Sequence, residues 1–160
     1  MIQLNGRLDE QTCLIQATGV GDWTSAAWVS LKGYQRLTVI ADFTSTGTVS
    51  GGVVTLNQAT AVAGTSAKAL AFTRMLKDID CAAAQTLVET AVSSNTFTVP
   101  TTTTKRVRYV IEVDASSLDV AGGFDCFKFV STALVNATGS VTYILWGNRY
   151  ALSATDPTVD

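Results

Sequence analysis

The chain contains no histidine. That removes the commonest general base, the Ser-His-Asp and Cys-His relays, and imidazole metal ligation. Carboxylates remain, and two of them suffice for glycoside hydrolysis. The one cluster is Asp114, Asp119 and Asp125. Asp114 and Asp119 bracket a short segment where an aspartate caps backbone donors, and Asp125 follows the Gly122-Gly123 pair. Turn and cap roles are therefore expected, and the spacing is not that of an EF-hand calcium loop. No catalytic, cofactor-binding or metal-ligating residue is assigned, and the expectation is a protein that is not an enzyme and needs no cofactor.

Lys68 follows Gly64-Thr65-Ser66-Ala67. This superficially resembles a phosphate loop, but the required Gly-Lys-Ser/Thr order is not met. Lys105-Arg106-Val107-Arg108 is a basic patch; on a strand Arg106 and Arg108 share one face, where they meet a solvated surface, local ion pairs or an acidic partner. Of the tryptophans, Trp146 ends an apolar run and is expected in the core. Trp23 lies in a Gly-Asp turn and Trp28 opens a weak strand, so both are candidate core or interface anchors, with sugar stacking as the alternative. Arg106, Arg108, Trp23 and Trp28 are thus the candidate interface residues. Cys13, Cys81 and Cys126 have no CxxC spacing and are odd in number, which predicts free thiols. Asn136-Ala137-Thr138 is a formal glycosylation triplet, uninformative in a chain without a secretion signal.

The elements that must position these residues read as strands. Arg106 to Asp114 has the cleanest period-2 alternation, with Val107, Tyr109, Ile111 and Val113 on one face. Arg36–Phe43, Val53–Ala59, Thr86–Val92, Phe124–Val130 and Val141–Gly147 are further strands. Leu14–Ala17, Trp28–Leu31 and part of 69–79 are weaker ones. Thr18–Asp22, Lys32–Tyr34 and Asn136–Ser140 read as turns, and residues 44–52 as a loop. Small residues allow single helical turns at 61–71, with Thr65 or Ser66 as cap, at 78–85 and after Asp114. Pro100 and Thr101–Thr104 suit a loop or an edge. Val141–Gly147 is apolar enough for burial on both faces.

About eight or nine short strands with Gly- and Thr-rich turns predict an all-β fold, a two-sheet β-sandwich or a barrel, jelly-roll-like, with single helical turns in loops. In the expected core, the Val107 to Val113 face joins Phe127, Phe129, Tyr143 and Leu145. Residues 1–13 are read as an N-terminal arm, 14–151 as the β-sandwich domain and 152–160 as a C-terminal tail.

At 160 residues, 47% hydrophobic, the chain can bury a full core. Charged residues are 15%, below the roughly 25% of ordinary domains, and the net charge is −2. That leaves no electrostatic footprint for nucleic acid. No apolar run approaches the length of a membrane span. No signal-peptide pattern follows Met1, and folding in a cytoplasm is expected. A surface so poor in charge suits a partner.

Two segments together carry a resemblance. One is Val53–Leu70, an extended run, Gln58-Ala59, small residues, Gly64-Thr65, then Ala67-Lys68. The other is Tyr109–Asp119 followed by Gly122-Gly123-Phe124-Asp125, with Leu145–Ala151 closing the pattern. Over roughly Trp28 to Ala151 this resembles small virion proteins that tailed bacteriophages encode beside the major capsid protein. The resemblance implies a non-enzymatic virion structural protein with a compact β fold, such as a capsid decoration (cement) protein. It would bind the major capsid protein on the outside of the head as a homo-oligomer, a trimer, after synthesis in the host bacterial cytoplasm. Two alternatives stay open: a head–tail joining or tail component, and, from another class, a carbohydrate-binding β-sandwich module.

Overall fold

In the computed structural model, the residues described are 13–20 (backbone only), 27–45, 47–48, 52–81, 83, 86–99, 105–132 and 136–147. The arm over residues 1–12, Trp23 and the tail from residue 148 lie outside them. Cys13, read as the last arm residue, is already the first residue of a strand.

Alternation builds the molecule. Strand β9 (Arg106–Asp114) buries Val107, Tyr109, Ile111 and Val113 and turns Arg106, Arg108, Val110, Glu112 and Asp114 the other way. Strands β3 (Arg36–Ser45) and β11 (Ala137–Trp146) repeat this period, as a sheet with one buried face must. The remaining strands are β1 (Cys13–Val20), β2 (Val29–Ser30), β4 (Val53–Ala59), β5 (Lys68–Ala69), β6 (Arg74–Asp78), β7 (Val88–Ala91), β8 (Thr96–Thr98) and β10 (Cys126–Ser131). All pair antiparallel, in a six-stranded sheet of order β1-β11-β3-β9-β6-β7 and a five-stranded sheet of order β2-β10-β4-β5 with β8 on β4. The two sheets form the expected all-β sandwich.

The buried faces meet in one core. Leu37, Val39, Phe43, Tyr109, Ile111, Tyr143 and Leu145 from the larger sheet join Val54, Leu56, Phe127 and Phe129 from the smaller. All eight side chains expected to face inward from β9, β10 and β11 do so. Phe127 meets the Tyr143 ring edge-on at 5.8 Å, and the Tyr143 hydroxyl accepts the Phe129 N–H at 3.0 Å, tying the two sheets together. Each such fully buried side chain contributes roughly 1.5–3 kcal/mol.

Four local expectations are corrected. Residues 61–71 form hydrogen-bonded turns and strand β5, with no helical turn, because Thr60 N–H and Gly64 N–H close on Thr65 and Ala61 while Gln58 holds the Ala69 carbonyl. Thr18–Val20 and Ala137–Ser140, read as turns from their glycines and serine, continue β1 and β11, since each is the other's ladder partner. The last strand is buried on one face only; Ile144 is half-buried. Trp146 is half-buried on the outer side, donating Nε1–H to Thr38 Oγ1 at 2.9 Å. Among the described residues the helical turns are two 3₁₀ turns, Ala115–Ser117 and Val120–Gly122. Among the described residues no helix is long and apolar enough to cross a membrane.

Candidate interaction surface

Arg106 and Arg108 do share the outer face of β9, but their charges are met locally. The register puts Asp42 of β3 directly beside Arg108, and the guanidinium grips its carboxylate twice, Nε–Oδ1 at 2.8 Å and Nη2–Oδ2 at 2.9 Å. Arg106 reaches the same carboxylate at 3.5 Å. The hydrogen bond to Asp42 holds the Arg108 pKa even above the ordinary arginine value. Lys105 pairs with Asp80 at 2.8 Å. The nearly buried Asp78 sits opposite Arg108 on β6 and accepts the Asp80 N–H. Three bases thus face three acids, which is the local-ion-pair arrangement. Cys81 lies beside them as a free thiol, its pKa pushed up by burial first and by Asp78 second, so it is not activated.

Trp28, just before β2, is half-buried. Its indole lies on the backbone of Gly64, where a Cβ would come within 2.6 Å of Nε1, and the Gly64 φ of +78° already favours glycine. The Lys128 ammonium stands 5.9 Å from the ring centroid, at the edge of cation–π range. Trp28 is therefore a packing residue of the 60–65 turn, with part of its surface left outward.

The three aspartates do not converge. Asp119 caps the second 3₁₀ turn by accepting the Gly122 N–H at 3.0 Å and pairs with Lys68. The hydrogen bond from Lys68 and then the Gly122 amide lower its pKa below the usual carboxylate value. Asp114 occupies the cap position of the first 3₁₀ turn but its carboxylate makes no cap bond; its carbonyl accepts the Ser117 hydroxyl instead. Asp125 accepts the Cys126 thiol at 3.1 Å, and its backbone links Ala59 to Leu31. Among the described residues no group of three His, Cys, Asp or Glu side chains could hold a metal ion.

Sequence reasoning missed how these parts meet. The two segments that carry the resemblance, far apart in the chain, close on each other at one end of the smaller sheet. The Lys68 ammonium sits 3.7 Å from the Phe124 centroid while pairing with Asp119. Buried Gln58 bridges them, donating Nε2–H to the Ala69 carbonyl at 3.2 Å and accepting the Asp119 N–H at 2.8 Å. A buried amide satisfied on both sides fixes two loops at once. No signal short of long-range pairing could have shown this.

A second missed feature lies at the other sheet. Six large hydrophobic side chains are exposed among the described residues, and four of them, Leu76, Ile79, Leu87 and Val88, belong to the β6–β7 hairpin. On its outer side a groove of about 260 Å³ is lined by Arg74, Met75, Leu76, Glu89, Val110 and Glu112. Clustered exposed apolar residues with a polar rim mark contact surfaces.

No protein-family model matches the chain, and neither the curated proteins nor the solved structures provide a match.

Proposed function

We propose that the protein is a non-enzymatic structural component of a tailed-phage virion, and within that class a capsid decoration protein that binds the outside of the head. The observation that carries this reading is how the side chains are used. Acids, bases and the buried amide engage each other, while apolar surface is gathered at one sheet edge. That suits area contact rather than turnover. The residues of the resemblance form a structural junction, which suits a scaffold whose loops must be held still.

Strand order adds support. Without β6, β7 and β8, eight strands remain, in the order first-eighth-third-sixth in one sheet and second-seventh-fourth-fifth in the other. We read this as a jelly roll with a β6–β8 insertion. Jelly rolls recur in viral capsid and in lectin domains, so this is a fold-level analogy and favours both classes. The carbohydrate reading needs an open aromatic platform, whereas Trp28 has the Gly64 turn against its ring.

Purified protein mixed with undecorated capsids should co-sediment with them, as a trimer, and not with free capsid subunit. Particles that carry the protein only at the neck or tail would replace this reading with a head–tail joining role. Retention on immobilised glycans without capsid binding would replace it with the lectin role.

A further inference from the structure

Strand β7 ends the six-stranded sheet, and among the described residues nothing pairs with its outer edge. The ladder to β6 sets Lys77 opposite Val88 and Met75 opposite Thr90, and the Val92 N–H continues it by bonding to the Thr73 carbonyl. Antiparallel alternation therefore directs the backbone groups of Val88, Thr90 and Val92 to β6 and points those of Glu89 and Ala91 outward. An open edge beside exposed Leu76, Leu87 and Val88 is a template for another strand.

The side chains of this edge complement themselves about a two-fold axis. We propose that β7 of one copy pairs antiparallel with β7 of a second copy, Thr90 opposite Thr90, joining two sheets into one. In that register Glu89 stands opposite Ala91 of the second copy, and each such pair exchanges both its backbone hydrogen bonds. Val88 meets Val92 of the second copy, the residue that already packs on the core. Thr–Thr and β-branched apolar pairs are favourable cross-strand neighbours.

Charge selects this register. On the outer face Arg74 of β6 lies beside Ala91, whose methyl group leaves the way open to Glu89 of the second copy. Two strand spacings, roughly 10 Å, separate their Cα atoms, within reach of two long side chains. Among the described residues neither Arg74 nor Glu89 is in an ion pair, while Glu112, across the groove from Arg74, is held by Arg36. A two-residue slip one way sets Glu89 directly against Glu89, which is destabilising. The same slip the other way sets Ala91 against Ala91 and parts Arg74 from Glu89. A contact of one edge with the same edge is isologous and closes at two copies. It goes beyond the proposed function and uses no capsid surface, so a failure to bind capsids leaves it standing.

Cysteine cross-linking of the full chain reads the register. Opposite residues of a non-hydrogen-bonded pair lie about 4.5 Å apart at Cα, within disulfide range, and diagonal neighbours lie roughly 7–8 Å apart, beyond it. Under mild oxidant, concentrated Thr90→Cys protein should give a dimer on non-reducing gels. Glu89→Cys should give no more than the wild type, which controls for the native cysteines. In sedimentation of the reduced protein, Arg74→Glu and Glu89→Arg should each weaken pairing at least tenfold. Mixing the two should restore it, because both ion pairs re-form in the mixed dimer, one of them with its signs reversed. Should Thr90→Cys unfold, the charge mixture reads the same contact. Thr90→Cys chains that stay uncross-linked, equal cross-linking from Glu89→Cys, or a mixture that associates no better than either variant alone would overturn the proposal.

Discussion

Strands β9 and β7 belong to one sheet and have opposite fates. In β9 every second side chain is buried, and three outward ones are tied to neighbours, Arg106 and Arg108 to Asp42 and Glu112 to Arg36 at 3.9 Å. In β7 only Thr90 is even half-buried, Val88 is 55% exposed, and among the described residues no strand pairs with one backbone edge. The difference is position, not composition: β9 has a strand on each side and the opposite sheet beneath, while β7, among the described residues, has a strand on one side only. One region is closed on both sides, and the other keeps an open edge among the described residues.

The sharpest way to break this comparison is truncation in each region. Phe127→Ala should cost ~3–5 kcal/mol in denaturant unfolding, since a fully buried aromatic leaves a cavity between the sheets. Val88→Ala should change stability by no more than about 0.5 kcal/mol in isolated protein, as an exposed site does. Similar losses at both would mean that the β7 edge is packed.

Two buried tyrosines sharpen it within the closed region. The Tyr143 hydroxyl accepts the Phe129 N–H, so Tyr143→Phe leaves a buried donor unmet and should cost ~1–3 kcal/mol. Among the described residues the buried Tyr109 hydroxyl meets no hydrogen-bond partner, so Tyr109→Phe should be neutral or stabilising by about 1 kcal/mol. Thermal melts of the two variants should separate in opposite directions from the wild type.

Both phenols also predict a pH response. Burial raises their pKa values above the ordinary value near 10. The unfolded chain therefore releases these protons first, and above about pH 10 the native state holds more of them. Stability from these groups should be constant through neutrality and fall as pH rises beyond 10, and in a Tyr34→Phe, Tyr150→Phe background tyrosinate absorbance should appear only as the protein unfolds. Absorbance that grows at neutral-to-mild alkaline pH in folded protein would contradict the burial.

The smallest effect belongs to the loop junction. The Asp119 pKa is lowered chiefly by Lys68, so its contribution is present above the ordinary carboxylate range and lost as pH falls through the folded value. Asp119→Asn should lower the melting temperature slightly, and less at high salt, because the pair is exposed.

What the sequence made legible was whatever alternation alone decides. Val53–Ala59 and Arg106–Asp114 have the bounds read from it, and the inward set from Val107 to Leu145 is buried as expected. Local composition misled where a ladder overrides it: Gly19 and Gly139 mark turns in isolation, yet they lie opposite each other inside a strand pair. Gln58, Lys68 and Asp119 were individually visible, but their meeting depends on two loops brought together by β4 and β10. Trp28 was read as a core or interface residue, and its packing partner, the Gly64 turn, was not visible. Arg106 and Arg108 were read as meeting a solvated surface, local ion pairs or an acidic partner, and the ion pairs they form depend on Asp42 of the neighbouring strand.

The most direct measurement is amide hydrogen exchange in dilute protein. Glu89 and Ala91 on the outer side of β7 should exchange fast, while Tyr109 and Ile111 in β9 stay protected. Protection at Glu89 and Ala91 equal to that in β9 would contradict the claim that the β7 edge is open while β9 is closed on both sides.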